Sequence, residues 1–428
     1  MTTVPWKLRC VDCGAEYPGL DVRYRCDCGE TLDVVHDFSG IDGKKLRALF
    51  ETRVASRRPV DRSGVWRYRE LILPLPEGRL ITRVEGNTRT YDSSRVARYA
   101  GVQRLTLKHE GENPTGSFKD RGMAVGITIA AQLGMTRVAC ASTGNTSASM
   151  ASYAALAGME AIVFIPEGKI AYGKLAQALA YGARTLEIPG DFDTAMAMVQ
   201  EVCRREGIYL LNSVNPFRIE GQKAIVFELL QDLDWEVPDW IVLPGGNLGN
   251  NSALYKGLAE LHSLGIIDSL PRIAVIQAEG ANPLYTAFVN HRPLEPVQNP
   301  DTVATAIKIG APVSWRKSLR GIEATNGVVE QVSDQEILDA KAQVDRAGIG
   351  AEPASCATVA GVKKLSARGV IHPEDRVCGI LTGHLLKDPD AVLRYHRGQF
   401  EHLSSTYGNQ PVRVQGGLDA IVEWLRQP

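Results

Sequence analysis

Residues 112–122 read ENPTGSFKDRG and connect two patterns of different kinds. An apolar, β-branched run at 104–108 precedes them and predicts a buried strand, and a helical pattern follows them. Pro114 and Gly116 predict a turn between the strand and the helix. The order of strand, turn and helix indicates a βα unit in which Lys119 lies near the N-terminus of the helix.

The same alternation of short apolar runs and helical patterns continues along most of the chain. Apolar residues at helical spacing predict helices at 192–206 and 219–233. Alternating strands and helices predict a parallel sheet with helices on its faces, which is an α/β fold. Besides 104–108, the predicted strands are 137–141, 161–165, 208–211, 240–243, 273–278 and 377–381.

Length and composition restrict the class of protein. The chain has 428 residues, which at roughly 100 to 200 residues per domain predicts two or three domains. With 44% hydrophobic and 23% charged residues and a net charge of −1, it has the profile of a globular protein. The near-neutral balance argues against a nucleic-acid binder held by bulk charge. Because residues 1–6 lack the apolar core of a secretory signal and no window resembles a membrane span, we expect a cytoplasmic location.

Lys119 is a candidate nucleophile. The positive end of a helix dipole should depress the pKa of a lysine at that place, which suits a lysine that forms a Schiff base. The alternative is a solvated lysine at a helix start. From this loop alone, the alternative is favoured.

Two further loops follow predicted strands and carry polar residues. Residues 142–147, STGNTS, place hydroxyls and free backbone amides at a helix N-terminus, where they could hold a carboxylate or a phosphate. Residues 244–251, PGGNLGNN, contain three glycines that let backbone amides approach a phosphate closely. An N-cap alone would explain one hydroxyl in the first loop, and the second loop is not G-x-G-x-x-G.

The combination of a lysine nucleophile, an anion cradle and a phosphate loop on one sheet points to pyridoxal phosphate. The runs at 114–122, 142–146 and 245–250 resemble the threonine synthases, which have the tryptophan-synthase-like fold. The resemblance continues through TVATAIKIG at 302–310, EPAS at 352–355 and LTGH at 381–384, and it spans roughly residues 60 to 400.

The resemblance implies a fold type II pyridoxal phosphate enzyme with two open parallel or mixed-sheet αβ domains and a small N-terminal segment. It implies a segment at 1–43, a large domain at 44–110 and 211–428, and a small domain at 111–210. Lys119 would bind the cofactor and move protons, Phe118 would pack beside its ring, and Asn145 would bond its 3-hydroxyl. Thr382 would donate to the ring nitrogen. Backbone amides would hold the cofactor phosphate at Gly245, Gly246, Asn247, Leu248, Gly249 and Asn250.

The resemblance further implies conversion of O-phospho-L-homoserine and water to L-threonine and phosphate. The rival is an enzyme similar to cysteate synthase, which takes O-phosphoserine and sulfite. Cys356 and Leu385 depart from the family pattern and leave the fine substrate preference open. The substrate carboxylate and phosphate would be bound by Ser142, Thr143, Thr146, Asn212, Ser213 and Arg218.

Four cysteines lie close together near the N-terminus. Cys10 and Cys13, with Cys26 and Cys28, form two clusters next to glycines, as in a structural zinc ribbon. The second cluster is one residue shorter than the usual zinc knuckle, so a weak or vestigial site is the alternative. The cysteines elsewhere in the chain are expected to be ordinary buried thiols.

A zinc ribbon also permits a hypothesis of a different class, a nucleic-acid-binding or regulatory protein. Residues 44–69 hold nine basic and two acidic side chains and are the best place for a polyanion. We favour a solvated linker helix that docks on the main body. Residues 418–425 predict one packed C-terminal helix. A homodimer is expected on general grounds, with neither nucleic acid nor a membrane as partner.

Overall fold

The computed structural model describes residues 4–167, 172–189 and 192–426. Its strands are β1 Trp6–Cys10, β2 Glu16–Pro18, β3 Leu32–His36, β4 Thr90–Asp92, β5 Arg104–His109, β6 Arg137–Ala141, β7 Glu160–Pro166, β8 Arg184–Ile188, β9 Tyr209–Leu210, β10 Trp240–Pro244, β11 Arg272–Ala278, β12 Val328–Val332 and β13 Arg376–Leu381. Its helices are α1 Gly43–Val54, α2 Pro59–Arg62, α3 Arg69–Ile72, α4 Ser94–Ala100, α5 Lys119–Gln132, α6 Asn145–Leu156, α7 Tyr172–Ala180, α8 Phe192–Glu206, α9 Pro216–Asp232, α10 Gly249–Ser263, α11 Pro283–Asn290, α12 Trp315–Ala324, α13 Asp334–Arg346, α14 Pro353–Ala367, α15 Pro389–His396 and α16 Leu418–Arg426.

The seven strands predicted from apolar runs are confirmed. The helix predicted at 192–206 is confirmed as α8, and the one predicted at 219–233 is α9, which begins three residues earlier. The earlier start has a local cause. Asn215 caps α9, its side chain accepting a hydrogen bond of 3.0 Å from the amide of Phe217, and Pro216 occupies the first helical position.

The larger sheet has the strand order β12-β11-β10-β13-β5-β4. Its first five strands are parallel, and β4 pairs antiparallel with β5 at one edge. Because β13 lies between β5 and β10, the loops that follow these three strands leave from one edge. The sheet therefore brings together residues 112–122, residues 244–251 and Thr382, which are far apart in sequence.

A second, fully parallel sheet has the order β8-β7-β6-β9, and its β6 leads into residues 142–147. The N-terminal segment forms a third, antiparallel sheet in the order β2-β1-β3. Two open sheets with helices on their faces and a small N-terminal ribbon confirm the predicted α/β fold class.

Helices α5 and α9 pack closely because glycines line their contact. A Cβ atom at Gly221 of α9 would overlap the backbone carbonyl of Arg121 in α5. A Cβ at Gly122 would lie 2.7 Å from the carbonyl oxygen of Arg218. This close packing sets the distance between the N-terminus of α5 and the first turns of α9.

The prediction of one solvated helix over 44–69 is wrong, because the segment is divided into several short helices. Helix α1 ends at Val54, and α2, a 3₁₀ turn and α3 follow it. Several of the basic side chains are inside the protein: Arg53 bonds to Glu70 at 2.5 Å and Arg69 to Asp61 at 2.9 Å. The positive charge that favoured a polyanion site is therefore partly neutralised by internal carboxylates.

The C-terminal helix α16 is confirmed as a helix, but the prediction that it is packed is wrong. Leu418 and Leu425 are 75% and 68% exposed. Helical spacing places apolar side chains on one face of a helix, and it does not determine whether another element covers that face. Within the described residues, no helix has both the length and the apolar character needed to cross a bilayer.

We predict that Gly221→Ala destabilises the protein by about 1–3 kcal/mol, since the added methyl group overlaps Arg121. The sign is informative because alanine normally favours a helix interior over glycine by about 1 kcal/mol. The measurement is the free energy of unfolding from urea titration. Gly78→Ala is the matched control, because nothing lies within 4 Å of a Cβ atom there. A stabilised Gly221→Ala protein would contradict the packing.

Candidate active site and metal centre

The start of α5 is anchored by the buried guanidinium of Arg121. Arg121 donates to both carboxylate oxygens of Glu110, at 2.7 and 2.6 Å, and to Glu228 at 2.8 Å. It also donates to the carbonyl of Gly64 at 2.9 Å, and Lys108 binds Glu228 at 2.8 Å. Burial alone would raise the pKa of Glu228, but Arg121 and Lys108 hold it well below its ordinary value. These pairs hold the first turn of α5, which carries Lys119.

The turn before α5 is fixed by Asp120. The Asp120 carboxylate accepts hydrogen bonds from the amide of Thr115 at 2.7 Å, the hydroxyl of Thr115 at 2.6 Å and the hydroxyl of Ser149 at 2.5 Å. The amide of Phe118 donates to the carbonyl of Thr382 at 3.1 Å. The turn is thereby joined both to helix α6 and to the residue that follows β13.

Lys119 is held in a poorly solvated place without an acidic partner. Its ammonium nitrogen lies 4.0 Å from the centre of the Phe118 ring, and no carboxylate of the described residues lies within ion-pair distance. Burial, and then the positive charge of Arg218, lower the pKa of Lys119 to about 7. The sequence predicted a depressed pKa, but it attributed the shift to the helix end. Desolvation and Arg218 are the causes in the structure.

Arg218, in the first turns of α9, is 2% exposed. Its guanidinium donates to the carbonyl of Leu211 at 3.1 Å, while its Nε has no hydrogen-bond partner. Burial lowers the pKa of Arg218 to about 10, and within the described part of the chain no carboxylate pairs with it. A buried cation without a counter-ion is costly, so this geometry is typical of a site that binds an anion.

The glycine-rich loop connects β10 to α10. A Cβ atom at Gly245 would lie 2.6 Å from Val275, so a side chain there would displace its neighbour, and one at Gly246 would make a tight contact of 3.1 Å with the backbone of Ile307. Leu248 adopts a left-handed conformation with φ of 64°. The loop is thus forced into a tight turn directly before the helix.

Polar groups of this loop are left without partners. The side chain of Asn247 is engaged, accepting from the amide of Val313 at 3.1 Å. Both side-chain polar atoms of Asn250 are buried and have no partner. Across the described ranges, no acceptor is found for the backbone amides of Gly246, Asn247 and Leu248. Unpaired donors at a helix N-terminus suit a phosphate.

The loop at 142–147 follows β6 and leads into α6, and its residues 142–146 are half-buried. Ser142 accepts from the amide of Gly144 at 3.2 Å. Asn145, the first residue of α6, donates from Nδ2 to the two oxygens of Glu352 at 3.3 and 3.2 Å. Thr143 and Thr146 are half-buried. The loop therefore presents hydroxyls at a helix N-terminus, as the sequence predicted.

The loop after β9 holds the other predicted substrate residues. The side chain of Asn212 accepts from the amide of Ala141 at 2.9 Å and donates to its carbonyl at 3.1 Å, which ties this loop to the end of β6. Its polar atoms are thus engaged within the protein. Ser213 is half-buried beside it.

Thr382, at the end of β13, is 5% exposed, and its hydroxyl lies 3.1 Å from that of Ser355. Ser355 also accepts from the amide of Gly383 at 2.8 Å. Of the two residues that depart from the family pattern, Cys356 is fully buried and Leu385 lies against Gly350.

The structure brings most of the predicted residues to one region. The backbone amide of Phe118 donates to the carbonyl of Thr382, and the charge of Arg218 lowers the pKa of Lys119. The glycine-rich loop follows β10, which is the neighbour of β13 in the larger sheet. The sequence alone predicted no role for Glu352, which is the first residue of the EPAS run at 352–355. A carboxylate before a proline at a helix start was the only local signal.

The four N-terminal cysteines converge in the ribbon. The Sγ atoms of Cys10 and Cys28 are 3.5 Å apart, as are those of Cys13 and Cys26, and all four lie within 4.8 Å of one another. Four thiolates around a tetrahedral zinc ion, with bonds of about 2.3 Å, would be about 3.8 Å apart. The short second cluster therefore does not prevent the four sulfurs from matching a structural zinc site.

We predict that the amine of Lys119 becomes reactive near pH 7 in protein that has been treated with hydroxylamine, which releases a lysine-bound aldehyde as its oxime, and then dialysed. Only the neutral amine reacts, so the rate of modification should rise through that pH. The measurement is mass-spectrometric quantification of the modified Lys119 peptide from pH 5 to 11. Arg218→Gln should move the midpoint upward by removing a positive neighbour, while Arg218→Lys, which keeps the charge, should not. A midpoint of about 10.4 in the wild type would contradict this environment.

We predict that the purified protein contains about one equivalent of zinc. Cys26→Ser should lower the metal content and the thermal stability, because one thiolate of the tetrahedral set is lost. Cys203→Ser, at a buried thiol outside the ribbon, is the matched control. The measurement is elemental analysis by mass spectrometry. A folded wild-type protein without metal would show that the ribbon does not depend on it.

Comparison with known proteins identifies the family. The family model described as pyridoxal-phosphate dependent enzyme matches residues 81–383. The chain is 50% identical over 423 residues to a threonine synthase of Methanosarcina acetivorans, with 98% of each chain covered. It is 46% identical to a threonine synthase of Methanocaldococcus jannaschii, covering 98% of this chain and 99% of the relative.

Among solved structures, the threonine synthase of Escherichia coli has the same fold, with a TM-score of 0.70 and 15% identity, covering 99% of this chain and 95% of that one. The chain therefore belongs to the pyridoxal-phosphate dependent enzymes and, among them, to the threonine synthases.

Proposed function

We propose that this enzyme converts O-phospho-L-homoserine and water to L-threonine and phosphate. The observation that carries the proposal is the buried guanidinium of Arg218, which has no carboxylate partner among the described residues and whose charge lowers the pKa of Lys119. A phosphate bound at Arg218 would lie near the amine that does the chemistry. The near full-length similarity to threonine synthases supports this substrate.

The cofactor site fits pyridoxal phosphate. We assign Lys119 to its aldehyde, Phe118 to the face of its ring and Asn145 to its 3-oxygen. The amides of residues 246–250 are assigned to its phosphate, because those of Gly246, Asn247 and Leu248 and the buried Asn250 side chain have no partner among the described residues. The amide of Gly245 donates to the carbonyl of Ile276 at 2.7 Å, so Gly245 is assigned to shaping the loop. When bound, the cofactor takes up the electron pair that remains when a proton leaves the substrate carbon.

Thr382 is assigned to the ring nitrogen. Its hydroxyl and that of Ser355 lie within hydrogen-bond distance, so Ser355 can orient Thr382 by exchanging one hydrogen bond with it. No carboxylate is assigned to the ring nitrogen. A neutral hydroxyl there leaves the nitrogen unprotonated, which affects how strongly the ring withdraws electrons.

Lys119 is assigned the proton transfers. With a pKa of about 7, a large fraction of its amine is neutral near neutral pH and can accept the proton from the substrate Cα. The reaction also removes a proton from Cβ, breaks the bond from Cγ to the phosphate oxygen, returns a proton to Cγ, adds the hydroxyl of water at Cβ and finally returns a proton to Cα. A base of moderate pKa beside the substrate can serve these steps in both directions.

The substrate anions are assigned to two places. The hydroxyls of Ser142, Thr143 and Thr146, at the N-terminus of α6, would bind the carboxylate. Arg218 and Ser213 would bind the phosphate, because guanidinium donors can bond two phosphate oxygens at once. Asn212 is assigned to holding this loop in place, since its amide is engaged with Ala141.

Further proposals concern organisation. We propose that the four-stranded sheet belongs to a small domain at 111–210, inserted into a large domain at 44–110 and 211–428 that follows the segment at 1–43. We also propose a structural zinc ion at the four N-terminal cysteines, a homodimer without a nucleic-acid partner, and a cytoplasmic location. The internal ion pairs of residues 44–69 support the absence of a polyanion site.

The proposed function predicts equal amounts of threonine and phosphate from O-phospho-L-homoserine. Both products are measured with time in the presence of pyridoxal phosphate. Arg218→Gln should lower kcat/KM by about a hundredfold, because a charged donor to phosphate is lost. Arg137→Gln, at a half-exposed arginine paired with Glu206, is the matched control and should leave the rate unchanged.

Absence of both products, from protein that binds the cofactor, would overturn the assignment. O-phosphoserine with sulfite would then be the next substrate pair to assay.

A further inference from the structure

Glu352 is a buried carboxylate for which the assignments above give no function. It is 4% exposed and directly precedes α14, which begins at Pro353. Its amide donates to the carbonyl of Gly383 at 3.0 Å. A Cβ atom at Gly383 would overlap the Glu352 carboxylate, so glycine at 383 leaves room for it. The carboxylate of Glu352 therefore packs directly against the backbone that follows β13.

The carboxylate is directed at Asn145. Both of its oxygens lie within 3.3 Å of the Asn145 Nδ2, at the N-terminus of α6, where a negative charge is favourable. The bond joins a helix next to the four-stranded sheet to a helix next to the six-stranded sheet. Burial raises the pKa of Glu352, while the hydrogen bond from Asn145 and the positive charges of Lys387 and Lys119 act in the opposite direction and favour the ionised carboxylate.

A carboxylate acceptor decides which way the Asn145 amide is turned. The amide carries one oxygen acceptor and one NH₂ group with two hydrogens. An ionised carboxylate can only accept, so it selects the orientation in which NH₂ faces Glu352. The two carboxylate oxygens can share one of these hydrogens, which leaves the other for a second acceptor.

We propose that Glu352 is a positioning residue of the cofactor site: it accepts one N–H of Asn145 and so directs the other to the 3-oxygen of pyridoxal phosphate. This inference rests on the proposed function, in which Asn145 bonds that oxygen. It assigns Glu352 no contact with the substrate. Its effect on the cofactor passes entirely through Asn145.

The test is a double-mutant cycle with Glu352→Ala, Asn145→Ala and the double variant. The readouts are the cofactor dissociation constant and the absorption spectrum of the lysine-bound cofactor. Each single substitution should weaken cofactor binding by about tenfold and change the balance of the absorption bands, since a hydrogen bond to the oxygen is lost. If Glu352 acts through Asn145, the double variant should bind no more weakly than Asn145→Ala. Losses that multiply to about a hundredfold would overturn the proposal.

A conservative variant separates positioning from a general role in stability. In Glu352→Gln the amide oxygen can still accept from Asn145, so affinity and spectrum should return toward those of the wild type. Glu330→Gln is the matched control, since Glu330 is a buried carboxylate paired with Arg368 outside the site. If Glu352→Gln lost affinity as strongly as Glu352→Ala while both kept the same melting temperature, the proposed orientation would be wrong.

The failure of this inference can be distinguished from failure of the proposed function. Borohydride reduction of the wild-type holoenzyme, followed by peptide mapping, should label Lys119. Label on another lysine would overturn the cofactor assignment itself. Label on Lys119 together with independent effects of the two substitutions would overturn only the role of Glu352.

Discussion

The interaction on which the site depends is the buried ion cluster around Arg121. Its guanidinium joins Glu110, which precedes the turn, to Glu228 in α9, and the carboxylates are in turn bound by further donors. Removing one member of such a cluster would leave an uncompensated charge inside the protein. Because Arg121 lies two residues after Lys119, this cluster determines where the reactive amine is placed.

Two other basic side chains near this cluster, Lys119 and Arg218, differ from Arg121 in whether a carboxylate binds them. Arg121 is paired with two carboxylates, whereas the half-buried Lys119 and the buried Arg218 have no carboxylate at ion-pair distance among the described residues. Desolvation lowers the pKa of both unpaired groups. The fold therefore supplies an amine of lowered pKa and an anion site by placing these two groups away from carboxylates.

Contacts between the two open sheets complete the arrangement. Asn145 reaches Glu352, and the backbone of Phe118 meets that of Thr382. The N-terminal ribbon also contacts more than one element, since Lys317 of α12 binds Asp33 at 2.7 Å and the amide of Leu210 donates to Tyr24 at 2.8 Å. The ribbon is thus docked next to the helices and strands that carry the site.

Seven of the thirteen strands that the structure describes, helices α8 and α9 and the three polar loops could be predicted from the sequence, because hydrophobic periodicity and turn residues are local properties. The predicted depressed pKa of Lys119 was likewise found. Only the tertiary structure determined that desolvation and Arg218 cause it, that Asn212 is engaged with Ala141, that Glu352 faces Asn145, and that α16 is exposed. These facts depend on which distant segments meet and which side chains lose water, and neither is encoded in the spacing of neighbouring residues.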